Sequence, residues 1–317
     1  MKKGKPFNLT VKRISTSPYY SSSFVELEKN TLESIEGVTC LGFNSFEDSD
    51  ILITNTHTHM SDIATSQLAK CKLLLHPNSG YDNFNYTFVK EAHFPIIIGN
   101  SIRSHAVANY ILSGLLNHYS SIPLNKSWDA SRRWKRKLLC EINLQIIGDG
   151  HISKILQKSL SPLVKNIFIY DPYKNKTQLE LRDIDVLIPV CSLNESSRNI
   201  INYKMLEKLN SDFLLINAAR GELVDTNALT QVLARQPQAF ALLDVFEKEP
   251  FDFSLFKNIN NIQLSSHIAG VYSNLDQATC EFEKMVLKDF CQLSQNEFDI
   301  KYTDSLLKNR IFQNSLI

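Results

Sequence analysis

The sequence predicts an α/β protein in which one parallel-sheet domain is inserted into a smaller one. Three observations predict it. Short apolar runs bounded by polar turns recur along the chain and alternate with helical patterns, which is the order a parallel sheet requires. Two long helical patterns, Ser104 to Tyr119 and Asn274 to about Leu293, stand where the chain would leave the small domain and return to it. A glycine turn, Gly148-Asp149-Gly150, ends one apolar run and opens a helix. The expected boundaries are residues 1–99 with 286–317 for the small domain and 100–285 for the inserted one.

Within the first hundred residues, Ile51-Leu52-Ile53-Thr54, Lys72 to His76 and Pro95 to Ile98 read as buried strands. Ser61 to Ala69 reads as a helix with Ser61 as its N-cap. The helix from Ser104 sets Val107, Ile111, Leu115 and Leu116 on one stripe, and leaves Tyr110 and Leu112 on other faces. Asn125 to Lys137, basic and carrying Trp128 and Trp134, reads as a solvated connection. A second strand series follows at Ile142 to Ile147, Ile167 to Tyr170, Val186 to Ile188, Phe213 to Ile216, Phe240 to Leu243 and Ile262 to Leu264. The last long helix aligns Ala278, Phe282, Val286 and Phe290.

Composition narrows the function classes. The 317 residues are 43% hydrophobic with a net charge of +1, which argues against a nucleic-acid-binding field and against an acidic, disordered chain. Six scattered cysteines without paired spacing read as reduced thiols, and no metal site is expected. His57 and His59 have a ligand-like spacing, but nothing completes a set, so they read as rim or surface residues. Met1 to Pro6 is basic, yet no apolar stretch follows it as in a signal peptide. Nothing approaches the roughly 18 apolar residues of a membrane helix. A cytoplasmic protein is expected.

The chemistry gathers at the ends of strands. Gly148 allows a tight turn, and Gly150 lets backbone approach a pyrophosphate at the start of a helix. The third position of this G-x-G-x-x-G pattern is Ser153, still small enough for close packing. Asp171 ends the next strand, 21 residues after Gly150, where a carboxylate would accept from an adenosine ribose. No Arg adjoins it and Lys174 is the nearest base in sequence, so NAD is favoured over NADP. Asn217-Ala218-Ala219-Arg220-Gly221, Asp244 to Pro250 and His267-Ile268-Ala269-Gly270 each place an ionisable residue near the end of an apolar run. An Arg fork matches a carboxylate, and a His beside a Glu moves a proton. An isolated His is ordinarily structural, and Arg220 and Glu249 taken singly would be surface charges; together they suit a carboxylate-bearing carbonyl compound.

Taken in order, these motifs resemble the D-isomer-specific 2-hydroxyacid dehydrogenase family from about Ile51 to Gly270. Asn78-Ser79-Gly80-Tyr81-Asp82-Asn83 is similar to its substrate loop and His105-Ala106-Val107-Ala108-Asn109 to its interdomain helix. The resemblance implies a Rossmann-type NAD domain inserted into a smaller flavodoxin-like α/β substrate domain. It implies Arg220, Glu249 and His267 as catalytic residues. Gly148, Gly150, His151, Ile152, Asp171, Ala218, Arg220, Asp244 and His267 would bind cofactor, with Asp244 fixing the nicotinamide carboxamide. Ser79, Gly80, Tyr81 and Arg220 would hold the substrate carboxylate. It also implies a homodimer, paired mainly through the cofactor domain.

The chain departs from the family at Asn109, usually Glu, at Val190-Cys191-Ser192, usually His-Val-Pro or His-Thr-Pro, and at Ser266, usually Pro. A small unphosphorylated 2-oxo acid is the expected substrate. Asn55 or its neighbour stands where phosphoglycerate enzymes carry an Arg, and the stretch after His267 is short for an extra C-terminal domain, although Arg103 offers charge nearby. The alternatives are a dehydrogenase of a phosphorylated hydroxy acid, of phosphoglycerate or erythronate-4-phosphate type, and an NAD-sensing corepressor-like binding protein.

Overall fold

In the computed structural model, which describes residues 8–42, 45–134 and 136–317, the chain forms two compact units. The first ends at Arg103 and resumes at Val271; the second is Ser104–Gly270. The basic stretch Met1 to Pro6 lies outside the described residues, as does Lys135 in the connection around Trp128.

In chain order the first unit has β1 (Leu9–Arg13), α1 (Phe24–Glu33), β2 (Val38–Leu41), β3 (Ile51–Ile53), α2 (Thr65–Lys70), β4 (Leu73–His76), α3 (Tyr86–Glu91) and β5 (Ile96–Ile98). The second has α4 (Ser104–Ser120), β6 (Asn143–Ile147), α5 (His151–Leu160), β7 (Asn166–Tyr170), β8 (Val186–Pro189), α6 (Tyr203–Leu206), β9 (Leu214–Asn217), α7 (Thr226–Arg235), β10 (Phe240–Leu243) and β11 (Ile262–Leu264). Back in the first unit come α8 (Leu275–Gln292), α9 (Gln295–Lys301) and a small antiparallel pair, β12 (Ile311–Phe312) and β13 (Ser315–Leu316).

The first sheet runs β2-β1-β3-β4-β5, all parallel, the order of a flavodoxin-like sheet. Its strands carry unbroken apolar runs because both faces are covered. Ile51, Ile53, Leu73, Leu75 and Ile97 meet Phe282, Val286 and Leu287 of α8 on one face. Leu52, Leu74, Ile96 and Ile98 meet Ile63, Val89 and Phe94 on the other. Each such side chain contributes roughly 1.5–3 kcal/mol by leaving water.

The second sheet runs β11-β10-β9-β8-β6-β7, again all parallel. Leu187, Leu215, Ala241 and Leu243 pack on Leu229, Val232 and Leu233 of α7. Leu144, Ile146, Val186, Ile188 and Ile216 pack on Val107, Ala108, Ile111 and Leu115 of α4 and on Leu156 and Leu160 of α5. The strand order reverses between β6 and β8, the switch point where such sheets take ligands at their carboxyl ends.

Several elements differ from the sequence expectation. Met60–Asp62 is a 3-10 turn, and α2 begins only at Thr65 with Ala64 as its N-cap. Ile63 is extended instead, because that conformation buries it beside Leu52 and Leu74. Ser61 therefore caps nothing. Leu116 is 46% exposed and off the buried stripe of α4. β1, α1 and β2 were not anticipated. The return to the first unit falls at 270/271 and not at 285/286, since α8 packs along α1 and belongs wholly to the first unit.

Candidate active site

The loop between β6 and α5 is shaped by what lies beneath it. Gly148 has φ +104°, and a Cβ there would stand 2.8 Å from the Cys191 backbone, so the turn passes tightly over the end of β8. Ser153 is fully buried and accepts from Gln157 Nε2 at 3.0 Å, so it takes the packing place of a third glycine. Around Gly150 there is room. A Cβ placed on it meets no heavy atom within 4 Å, and it N-caps the ten-residue α5, with His151 and Ile152 in the first turn. Open backbone at a helix start fits the diphosphate of a dinucleotide.

Asp171 follows β7 and accepts from Asp149 N through Oδ2 at 2.9 Å, which ties the end of β7 to the glycine turn. Lys176, not only Lys174, stands close by. Its backbone pairs with that of Asp171, and its Nζ meets Asp149 Oδ2 at 2.9 Å, while Lys174 Nζ bonds Asp149 O. Burial raises the Asp149 pKa, but Lys176, Gln157 and the Lys174 charge outweigh it and hold the carboxyl below its ordinary value. Nothing local in the sequence pointed to this pairing.

The arginine, glutamate and histidine all follow adjacent strands of this second sheet. Arg220 follows β9 in a turn pinned by the buried Asn217, whose Nδ2 donates to Arg220 O at 2.9 Å and whose Oδ1 accepts from Ala219 N at 3.1 Å. Arg220 Nη1 donates to Ala219 O at 2.8 Å. Gly221 lies against the turn after β10: a Cβ would fall 1.9 Å from Phe246 C. The missing side chain lets the arginine turn and the glutamate turn touch.

Glu249 accepts from Phe246 N through Oε1 at 3.1 Å and from His267 Nδ1 through Oε2 at 2.7 Å. The His267 and Glu249 side chains are 37% and 34% exposed. Burial pushes the Glu249 carboxyl up, but the His267 hydrogen bond and charge, the Phe246 amide and the Arg220 charge prevail and hold it below the usual carboxylate range. His267 sits at φ +55°, a left-handed conformation costing a non-glycine residue about 1–3 kcal/mol. Such a turn persists only where its surroundings fix it.

Asp244 does the fixing. Its backbone oxygen accepts from His267 N at 2.7 Å, Oδ1 accepts from Ile268 N at 2.8 Å and Ser265 Oγ at 2.6 Å, and Oδ2 accepts from Ala269 N at 2.8 Å. Asp244 is fully buried, and by holding these donors it anchors the histidine turn. Ala218 is likewise 7% exposed and packs in the core beneath the sheet end.

In the first unit, Ser79 and Gly80 are half-buried. His76, which sequence reading passed over, is fully buried and links their loop to β3: Thr54 Oγ1 donates to Nδ1 at 3.0 Å, and Nε2 donates to Gly80 O at 2.8 Å. Tyr81 is buried and its hydroxyl donates to Ile317 O. Asn55 is buried and occupied, with Nδ2 on Ser15 O at 2.8 Å and Oδ1 accepting from His57 N at 2.8 Å. His57 and His59 are exposed. Among the described residues no three His, Cys, Asp or Glu side chains gather as a metal site, and no helix is long and apolar enough to cross a membrane.

A doubly wound parallel sheet with a glycine turn at its switch point, and with a linked histidine and glutamate at the same carboxyl ends, defines a nucleotide-binding α/β domain. Residues 112–269 match the family model described as D-isomer specific 2-hydroxyacid dehydrogenase, NAD binding domain. The chain belongs to that family, and NAD is its cofactor. Similar proteins include a D-3-phosphoglycerate dehydrogenase of Methanocaldococcus jannaschii, 24% identical over 277 residues, 81% of this chain and 53% of that protein. A hydroxypyruvate reductase of Thermotoga maritima is 25% identical over 69% of this chain and 77% of its own length. The chain spans about half the length of the first curated relatives it matches. An NAD+-bound 3-phosphoglycerate dehydrogenase from Entamoeba histolytica shares the fold with a TM-score of 0.71 at 16% identity, covering 92% of this chain and 98% of that one. A D-lactate dehydrogenase from Aquifex aeolicus, complexed with NAD and lactic acid, gives 0.70 at 17% identity, covering 94% and 98%.

Proposed function

We propose that the protein is an NAD-dependent D-2-hydroxyacid dehydrogenase that interconverts a small, unphosphorylated 2-oxo acid and its D-2-hydroxy acid. The 2.7 Å contact between His267 and Glu249, beside the Arg220 turn, carries this reading. Bound NADH supplies the hydride. His267 donates a proton to the carbonyl oxygen of the 2-oxo acid through Nε2, since Nδ1 is engaged by Glu249, and takes it back in the reverse direction. Glu249 keeps the imidazole oriented through the hydrogen bond it accepts from Nδ1. Arg220 holds the substrate carboxylate with its planar fork, and Ser79, Gly80 and Tyr81 are the substrate-binding residues proposed in the first unit. Asp171 accepts from the adenosine ribose. The engagement of Asn55 with Ser15 and His57 supports an unphosphorylated substrate, because no cation stands at that position.

NADH oxidation followed by absorbance, against a panel of 2-oxo acids with and without a phosphate group, tests the reading. Turnover of at least one unphosphorylated acid is expected. Turnover of phosphorylated acids only would replace the substrate class, and no turnover with measurable NADH binding would favour a nucleotide-sensing protein. We further propose a homodimer in the cytoplasm. Its support is the exposed aromatic flank after α4, where Trp128 is 79% exposed with Arg132 5.1 Å over its ring. A solution mass near that of the 36.2 kDa chain would refute the dimer. Tyr110 is partly buried in its own unit and its hydroxyl meets Ser265.

A further inference from the structure

His267 occupies a backbone conformation that its own side chain disfavours, so whatever stabilises the Ser265–Ala269 turn also sets how its imidazole meets Glu249. Asp244 supplies most of that stabilisation. Both its oxygens accept backbone N–H groups, and Oδ1 accepts in addition from Ser265 Oγ at 2.6 Å. A hydroxyl has a single proton, so Ser265 Oγ has none left for its other close neighbour, Tyr110 OH, also at 2.6 Å. Tyr110 must therefore be the donor. Burial, with Asp244 nearby against the Ser265 bond, raises the phenol pKa and keeps it protonated. The result is a one-way chain from Tyr110 OH to Ser265 Oγ to Asp244 Oδ1, which ends in the carboxylate that clamps the histidine turn. It begins on α4, 155 residues earlier in sequence.

We propose that Tyr110 is a positioning residue for His267: its hydroxyl, through Ser265 and Asp244, fixes the turn that aims the imidazole. This rests on the reading of His267 as the acid–base group. Tyr110 touches neither substrate nor cofactor in this role. It acts on proton transfer and leaves NADH binding alone. Chains of hydrogen bonds in a buried setting polarise one another, so loss of the first donor weakens the later ones.

Tyr110→Phe in the full chain is the test, since the ring stays in the α4 core and only the donor is lost. For 2-oxo acid reduction, kcat is expected to fall about three- to tenfold, the factor that one net hydrogen bond is worth. The KM for NADH should stay within about twofold. In histidine-labelled protein without ligands, the low-field Nδ1 proton of His267, bonded to Glu249, should broaden or disappear. Ser265→Ala should reproduce both effects and the double variant should add nothing, whereas Ser265→Thr, which keeps a hydroxyl, should retain rate and signal. If Tyr110→Phe lowers only the melting temperature, with rate and proton signal intact, the positioning role is overturned. His267→Ala separates the two ideas. Full activity there would defeat the catalytic reading, while the proton signal still judges the link from Tyr110 to the turn.

Discussion

Each of the two units carries an arginine with two further ionisable groups, and the two clusters behave in opposite ways. In the first unit Arg13 Nη2 meets Glu28 and Glu283, each at 2.5 Å, with the three residues 4%, 6% and 0% exposed. In the second, Glu249 meets His267 with each side chain about a third exposed, and the Arg220 charge acts on Glu249. Burial, followed by the charge of Glu28, drives the Glu283 carboxyl well above its ordinary value despite Arg13. Glu249, about a third exposed, is held below its own. The first cluster is buried and welds β1, α1 and α8 together. The second keeps its charges hydrated and within reach. Exposure, not residue type, separates the two charge clusters.

The largest effects should separate the two clusters completely. Arg13→Leu strands two buried acids and is expected to cost about 3–5 kcal/mol of stability, read from urea unfolding. Activity of the remaining folded protein should be normal. His267→Ala should do the reverse, lowering kcat by roughly 10²–10⁴-fold with NADH binding and unfolding little changed. A stable, inactive Arg13 variant would break the comparison.

Opposite pH slopes form a second test. The Glu283 pKa is raised on folding, so its stabilising contribution is fully present below the unfolded value of 4.5 and is lost as pH rises through the folded value. Glu283→Gln should therefore match wild type near that pH and become more stable than it at neutral pH, by about 1 kcal/mol. The Glu249 pKa is lowered, so its contribution is present above 4.5 and lost as pH falls through the folded value. Glu249→Gln should be slightly less stable at neutral pH and converge with wild type in acid. Parallel stability slopes in the two glutamine variants would remove the distinction.

The smallest effect concerns Asp171. NADH is expected to be preferred over NADPH at least about tenfold in kcat/KM, because an uncompensated carboxylate opposes a 2′-phosphate. Asp149→Asn should narrow the preference by releasing Lys176 from the carboxylate it pairs with. No change in the ratio would mean that Lys176 does not reach the ribose.

Much of the second unit could be read from sequence because its signals are local. Gly148 and Gly150 lie at the end of a strand, and Arg220, Glu249 and His267 each follow an apolar run. The first unit hid its opening elements. Leu9-Thr10-Val11-Lys12-Arg13 ends in two bases and looks like surface, and only Glu28 and Glu283, 15 and 270 residues away, make it a core strand. Ile63 was drawn into a helix by a continuous pattern, when its burial needed an extended residue. Asp244 carried a family role, yet its partners depend on how the chain from Ser265 to Ala269 folds back, which no spacing reveals.

On the proposed acid–base role of His267, its left-handed backbone sets folding and activity against each other at one position. Glycine adopts φ +55° without strain and asparagine tolerates it, so either would relax the turn that histidine holds under tension. In a lineage or a library selected for folding alone, position 267 should drift toward glycine or asparagine within an otherwise intact protein. A histidine that persists there marks a chain still under selection for turnover, and an inactivated paralogue of this protein should show the change at that residue early.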